Sequence, residues 1–423
     1  MGASGRNDRR GRRPVLIYGM NYAPEMIGVG RYSGEIGAFL HAEGEDVEVV
    51  TTPPHYPGWA VKDPFSNRYS VSRSDRLRVS RCPLLLRTDM RGLWRVLAPL
   101  SFAISSAPVV IWRILTRRPR AVLMIEPTLF AAPAALLAAK LVGARTALHV
   151  QDLEIDAAFA VGHMGGRRLK MLADAFERIT LKRFDQVITI SNQMKARLLA
   201  KGVAASALDI VRNWVDLEKI RPLSGPNRFR SELGLTDDAF VALYSGNIGA
   251  KQALPVILDA AEQMKDNEGV VFVVAGEGPE KASLMERYGA LPNLRFLPLQ
   301  PEDRLCELLN LADVHLLPQD RGAADLVLPS KLGGMLASGR PILVTADEGT
   351  ELYEFLRGTA VVVPAGDRDS VRAAITALSE RREGTKLGDG RMLADSLEAR
   401  RNLTLFSRHL FGDPGPQPAA VQV

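Results

Sequence analysis

PVLIYGMNYAPEMIGVGRYSGEIGAFL, residues 14–40, runs from a short apolar stretch through a Gly-x-Gly pair, Gly28 and Gly30, into a helical pattern. A strand feeding a helix across a glycine loop is the opening unit of a doubly wound parallel α/β sheet. A dinucleotide-binding turn begins the same way, and three features argue against one here. The loop from Gly19 to Gly28 is too long, Ser33 stands where the third glycine belongs with Gly34 beside it, and the second strand ends in Thr51-Thr52-Pro53-Pro54 with no acid for ribose hydroxyls. What survives is a glycine pair that lets backbone N–H groups approach a ligand at the start of a helix over 31–43, where the dipole favours negative charge. A plain flexible loop is the competing reading.

The same rhythm continues. Short β-branched runs at 15–19, 47–52, 121–126, 146–150 and 186–191 alternate with helical segments, and a second series follows at 240–246, 270–276, 294–299, 314–318, 341–345 and 360–364. Two successive doubly wound sheets are expected, which suits a 423-residue chain, since one hydrophobic core seldom supports that length. The segment NWVDLEKIRPLSGPNRF (213–229) reads as the linker, with the boundary near 220. Near the end, Leu397, Leu403, Phe406 and Leu410 are spaced for a helix over 397–411. The basic residues 1–13 and the segment 412–423 read as disordered tails.

The second series carries the stronger phosphate-site pattern. SGNIGAK (245–251) places Gly246, Asn247 and Gly249 directly after a strand and Lys251 just beyond, so backbone donors and an ammonium converge where a diphosphate can sit. VLPSKLGGMLASGRPIL (327–343) puts Ser330 and Lys331 in the first turn of a helix, where a lysine opposes the dipole unless an anion is present. Gly276, in VVAGEGP, marks a third glycine-rich strand exit or an ordinary tight turn. Taken singly, Ser330 reads as a cap and Lys331 as a solvated side chain. At strand ends of one sheet, together, they favour a phosphate site.

Taken in order, YGMNYAPEMIGVGRYSGEIGAFL, TTPPHYPGW, MIEPTLF, HVQDLEIDA, TISNQM, NWVDL, LYSGNIGAKQAL, VVAGEGP and RGAADLVLPSKLGGMLASGRPIL resemble segments of retaining glycosyltransferases of family four. The similarity is to the colanic acid or exopolysaccharide branch and covers nearly the whole chain. It implies the two-Rossmann GT-B fold, with an acceptor domain over 14–220, a nucleotide-sugar domain over 221–396, a cleft between them, and the helix over 397–411 crossing back to the first domain. By resemblance, Gly28 and Gly30 would lie under the donor diphosphate and His149 would contact the donor sugar. Lys251 would neutralise the leaving diphosphate, and Ser330 and Lys331 would line the donor site. The family's glycine-arginine pair reads Gly246-Asn247 here, and its two glutamates fall at Leu326 and Gly334, leaving Asp325 as the stand-in carboxylate. A histidine ending a buried strand is also commonly structural.

The reaction so implied moves a sugar from a nucleotide-diphosphate donor to a lipid-pyrophosphate-linked saccharide. Preorganised N–H donors and lysines can stabilise the departing diphosphate, which itself takes the acceptor proton, so no hydrolase-type carboxylate pair is required. No cofactor or metal is expected. Asp367-Arg368-Asp369 matches a metal-binding Asp-x-Asp only formally, with Asp369 placed to cap the following helix. A nucleotide-sugar 2-epimerase and a non-catalytic sugar-nucleotide or membrane-binding protein are the alternatives, the latter raised by the missing glutamates.

Charge adds a surface. Residues 1–150 hold 21 Lys+Arg against 11 Asp+Glu, and the remainder of the chain carries −4 of the net +6. Within 68–120 twelve arginines face only Asp75 and Asp89, interleaved with Trp94, Phe102 and Trp112. A solvated face, a nucleic-acid patch and a membrane interface all fit such a stretch. The membrane interface is favoured, with Arg91, Trp94, Arg95, Phe102, Trp112 and Arg113 meeting headgroups of the cytoplasmic leaflet; no nucleic-acid module accompanies the charge. The longest apolar run, 97–112, is broken by Ser and Pro and falls short of the roughly 18–20 residues of a bilayer span. Two cysteines, Cys82 and Cys306, give neither a disulfide framework nor metal spacing, so a reducing, cytoplasmic setting is expected.

Overall fold

The computed structural model describes residues 13–26, 28–56, 58–87, 94–153, 167–321, 328–380 and 390–413. The chain divides into two compact units, one formed by residues up to Val211 with the segment from Leu403, the other by Arg212–Asn402. The first division lies ahead of the expected boundary near 220 because Val215 is tied into the second unit. Its N–H donates to Leu397 O at 2.8 Å, and its carbonyl accepts from Ala399 N at 2.9 Å.

The first unit is built on an eight-stranded sheet: β1 (Val15–Tyr18), β2 (Val47–Thr51), β3 (Ser70–Ser74), β4 (Leu77–Arg81), β5 (Ala121–Glu126), β6 (Arg145–Val150), β7 (Gln186–Thr189) and β8 (Leu208–Ile210). The order is β3-β4-β2-β1-β5-β6-β7-β8, and every pairing is parallel except β3 with β4. The β3–β4 hairpin escapes the apolar pattern because all five residues of β3 are exposed. β1, β2 and β5 are buried along their whole length, as strands covered on both faces must be.

Helix α1 (Gly28–Ala42) begins three residues earlier than its sequence pattern suggests, with Gly28 at φ +61°. Its glycines form one face. A Cβ at Gly30 would sit 2.4 Å from Glu25 Oε2, one at Gly34 would sit 2.9 Å from Ala23 Cβ, and one at Gly37 would sit 2.1 Å from the Tyr22 hydroxyl. The loop after β1 therefore folds back onto α1, and glycine is required there for packing.

Helix α2 (Trp94–Arg117) corrects the reading of the apolar run as too broken to span: Pro99 and Pro108 are accommodated, and Val96–Arg117 is long and apolar enough by length and composition to cross a membrane. It is built into the unit by one face. Ala98, Phe102, Ser106, Val110 and Ile114, each a turn apart, are fully buried, and the Ser106 hydroxyl lies 2.6 Å from that of Tyr18. The opposite face carries Leu100, Ile104, Trp112 and Leu115, all exposed. α3 (Ala132–Val142) packs beside it, followed by α4 (Arg167–Leu181).

The last helix, Ala399–Phe411, contributes its residues from Leu403 onward to the first unit. Phe406 is buried there, Arg120 lies over the Phe411 ring at 3.6 Å, and His409 pairs with Asp209 at 3.1 Å.

The second unit has a six-stranded parallel sheet: β9 (Phe240–Ser245), β10 (Val270–Ala275), β11 (Leu294–Leu297), β12 (Val314–Leu317), β13 (Ile342–Thr345) and β14 (Val361–Val363). Its order is β11-β10-β9-β12-β13-β14. The chain winds outward one way from β9 and the other way from β12, so the crossover point lies between these two strands. In open α/β sheets ligands bind outside the carboxyl ends of the strands at such a point.

Candidate functional site: an anion site at the crossover of the second sheet

The loops leaving β9 and β10 are joined through backbone. Gly246 N–H donates to Ala275 O at 2.9 Å, Ile248 N–H to Glu277 O at 2.9 Å, and Glu280 N–H to Ile248 O at 3.1 Å. This contact demands glycine: a Cβ at Gly276 would lie 1.8 Å from Gly246 O, and one at Gly278 would lie 2.1 Å from Ile248 O. Gly276, at φ +149°, is thus explained by loop-to-loop packing. Across the crossover point, Asp320 N–H, from the loop after β12, donates to Lys251 O at 3.1 Å.

Lys331, directly ahead of the helix Leu332–Ala337, reaches into this assembly. Its Nζ lies 3.9 Å from the centroid of the Tyr244 ring, and its Cδ would be 3.2 Å from a Cβ at Gly246. Among the described residues the buried Nζ has no hydrogen-bond acceptor, although the residue keeps part of its surface exposed. Burial pushes this amine down to about 7, since a charge removed from water without a partner is unfavourable. Tyr244 is fixed in turn by donating its hydroxyl to Asn247 O at 2.5 Å. A buried amine with no counter-charge among the described residues, beside backbone loops at a crossover point, is a candidate anion site.

The structure brings Gly246, Asn247, Gly276 and Lys331 together. Lys251 stands exposed in the single turn Ala250–Gln252, and Asn247 Nδ2 bonds Gln252 Oε1 at 3.2 Å. Ser330 is exposed in a turn, and the helix expected to hold Ser330 and Lys331 in its first turn starts instead at Leu332. At position 334, where the family has a glutamate, a Cβ on Gly334 would meet Leu309 Cδ1 at 3.1 Å, so this position faces packed side chains. Asp325, Leu326 and Arg91 lie outside the described residues, as does the side chain of Arg95. Among the described residues no cluster of three His, Cys, Asp or Glu is arranged to hold a metal ion. Asp367, rather than Asp369, caps the helix Arg368–Glu380, accepting from the N–H groups of Asp369 and Ser370 at 3.1 and 3.0 Å.

In the first unit several expectations need correction. Gly30 is filled by Glu25, whereas a Cβ at Gly28 would meet only Tyr56 Cε1, at an ordinary contact distance of 3.7 Å. His149 is 0% exposed within β6, its ring 4.9 Å from that of Phe406, and burial pushes it down to about 3. Both ring nitrogens are buried without a hydrogen-bond partner among the described residues, so the ring is enclosed in this structure rather than exposed at a strand end. Phe102 is buried, and Arg113 turns inward toward Glu48 and Ser80. Arg81 likewise donates to Thr52 O and Ala23 O, so the basic stretch is partly internal scaffolding. Of the aromatic calls, Trp94 and Trp112 are exposed.

Sequence reasoning passed over Glu25 and His55. Glu25 Oε1 accepts the N–H groups of His55 and Tyr56 at 3.0 Å each, and Oε2 accepts from Asn21 Nδ2 at 2.9 Å. His55 is pushed down by burial, which the neighbouring Glu25 opposes. A lone acid in the apolar loop YAPEMIG was the available signal.

Comparison with known proteins agrees with this architecture. Residues 28–214 match the family model for a glycosyl transferase 4-like domain, and residues 239–381 match that for glycosyl transferases group 1. The putative colanic acid biosynthesis glycosyl transferase WcaI of Escherichia coli (strain K12) is 39% identical over 374 residues, which cover 86% of this chain and 91% of that protein. Among solved structures, sucrose-phosphate synthase from Thermosynechococcus elongatus superposes with a TM-score of 0.72 at 15% identity, covering 94% of this chain and 98% of that one. HepE of Anabaena, solved in complex with UDP and glucose, gives 0.66 at 12% identity, covering 94% of this chain and 100% of that one. At such identities these two structures speak for the fold alone.

Proposed function

This chain belongs to the glycosyltransferases of the GT-B fold, and on that premise we propose that it transfers a sugar from a nucleotide-diphosphate donor to a lipid-linked saccharide during polysaccharide assembly. The buried amine of Lys331 at the crossover point, unpaired among the described residues, carries the donor part of this reading. When the bond between sugar and diphosphate breaks, negative charge grows on the departing phosphate. Lys331, held against the Tyr244 ring, meets that charge together with the exposed ammonium of Lys251 on the β9 loop, which is where such groups contribute most. The acceptor hydroxyl forms its new bond on the face the diphosphate leaves, and its proton passes to a phosphate oxygen. Retention of configuration follows, without a metal ion. The likeness to a colanic acid transferase supports polysaccharide as the product class.

The test is a panel of UDP-, GDP-, ADP- and dTDP-sugars offered to the purified chain with a lipid-linked saccharide extract, reading nucleoside diphosphate released. One nucleotide class is expected to be consumed, and Lys251→Ala is expected to slow its use by about 100-fold. No release and no binding with any donor would overturn the reading.

A lipid-linked acceptor requires a surface at the bilayer. The exposed face of α2, with Ile104 at 70% and Trp112 at 66% exposure, offers apolar side chains in a row that ends at Arg117 and Arg118, both exposed. An apolar helix face ending in arginines suits peripheral attachment to an anionic cytoplasmic leaflet. Vesicles containing phosphatidylglycerol are expected to retain the chain, with binding falling as salt rises. Ile104→Asp with Trp112→Asp is expected to weaken retention by about tenfold or more, since each side chain buries on the order of 2 kcal/mol of apolar surface. Equal retention of the double variant would refute this attachment.

A further inference from the structure

Lys331 has an environment that an ordinary phosphate-binding lysine lacks. Its amine is enclosed against the ring of a tyrosine, with no acceptor among the described residues. Among the described residues each neighbouring element leaves it uncompensated. From β9 comes the phenol of Tyr244, whose own titration burial pushes far upward, and whose hydroxyl is committed to Asn247 O. The β9 loop adds only Asn247 and the cation Lys251. The β10 loop adds Glu277, already paired with Lys281 at 2.7 Å, and the end of β12 adds Asp320 and Arg321, the latter paired with Asp347 at 2.9 Å. The helix Leu332–Ala337 has no titratable side chain. Among the described residues none makes an ion pair with Lys331 Nζ.

We propose that donor binding and protonation of Lys331 are one coupled event, with Tyr244 as the residue that positions the amine between its neutral and charged forms. The inference rests on the donor reading above and specifies how that site works. A face of Tyr244 stabilises an ammonium by only a fraction of what a paired carboxylate supplies, so it holds the group in place without fixing its charge. A diphosphate entering beside it provides the missing negative charge and draws a proton onto the nitrogen. Departure of the nucleoside diphosphate after transfer reverses this, releasing the proton with the product. With burial holding the amine near 7, the exchange falls at neutral pH.

The experiment is calorimetric titration of the full chain with UDP, GDP, ADP and dTDP in turn at pH 8, where a terminal phosphate is already ionised, repeated in buffers of different ionisation enthalpy. The slope of apparent enthalpy against buffer enthalpy counts protons. For the nucleotide that binds, uptake of about 0.9 proton is expected, as follows from an amine near 7 that becomes fully charged in the complex. Lys331→Arg, which cannot lose its charge, is expected to bind with no uptake. Lys331→Met is expected to bind weakly, also with none, and Tyr244→Phe to keep the uptake because the ring remains. Binding by the unaltered chain with zero uptake, or undiminished uptake in Lys331→Arg, overturns the coupling while leaving the donor reading standing. Absence of binding by any of the four nucleotides to the folded chain overturns both.

Discussion

Lys331→Met is expected to make the protein more stable and far less active. The amine lies buried beside Tyr244 with no acceptor among the described residues, and an uncompensated charge in that position opposes folding. The sign of the pH dependence follows. Lysine in the unfolded chain titrates at its ordinary 10.5 and in the fold near 7, so the unfolded state binds more protons throughout that interval. Stability therefore rises with pH between these values, and the penalty is full below about 7 and gone above 10.5. Methionine fills a similar volume without the charge. At pH 7 a gain of about 2 kcal/mol is expected, allowing for the exposed part of the stem, with loss of the pH dependence above neutrality. Turnover should fall by about 100-fold or more, because the group that meets the departing diphosphate is gone. Thermal melts from pH 7 to 10 beside donor-consumption rates check both halves. An unchanged midpoint together with unchanged turnover would remove Lys331 from the site.

Gly276→Ala is expected to be the most damaging single-atom addition in the second unit. Its Cβ would stand 1.8 Å from the carbonyl oxygen of Gly246, on a backbone held at φ +149°. Neither atom can yield by a rotamer change, since both loops are locked through Gly246 N–H to Ala275 O and Ile248 N–H to Glu277 O. Overpacking and backbone strain together suggest a loss of about 3 kcal/mol or more, with the two loops pushed apart and donor binding lost. Gly358→Ala is the matched control: φ is +79°, but nothing lies within 4 Å of the new atom. That variant isolates the left-handed backbone strain and should lose only about 1 kcal/mol. Equal stability of the two variants, read from chemical unfolding of the second unit, would show that the loop contact does not constrain the fold.

The sequence was most readable where one-dimensional pattern and three-dimensional demand coincide. Fully covered parallel strands such as Val270–Ala275 must be apolar throughout, so their positions stand out without any knowledge of their neighbours. Glycine loops at strand ends are visible for the same reason, although what their glycines accommodate is not. Gly30 looked like a place for a ligand, but it makes room for Glu25, and this depends on how residues 20–25 fold back. Direction is the other hidden quantity. His149 ends a strand in either reading, but only the position of Phe406, more than 250 residues later, shows that its ring is enclosed. Phe102 and Trp112 appeared equivalent in composition. The buried ladder through Ala98, Phe102, Ser106, Val110 and Ile114 separates them, and Pro99 and Pro108 obscured that ladder by reading as breaks.

The most direct test of the account is the release of nucleoside diphosphate from UDP-, GDP-, ADP- and dTDP-sugars by the purified chain, with and without a lipid-linked saccharide extract, for the unaltered protein and Lys331→Met. A single nucleotide class is expected to be consumed, consumption to depend on the extract, and the variant, folded and no less stable, to lose it. A folded, unaltered chain that neither binds nor consumes any of these donors would contradict it.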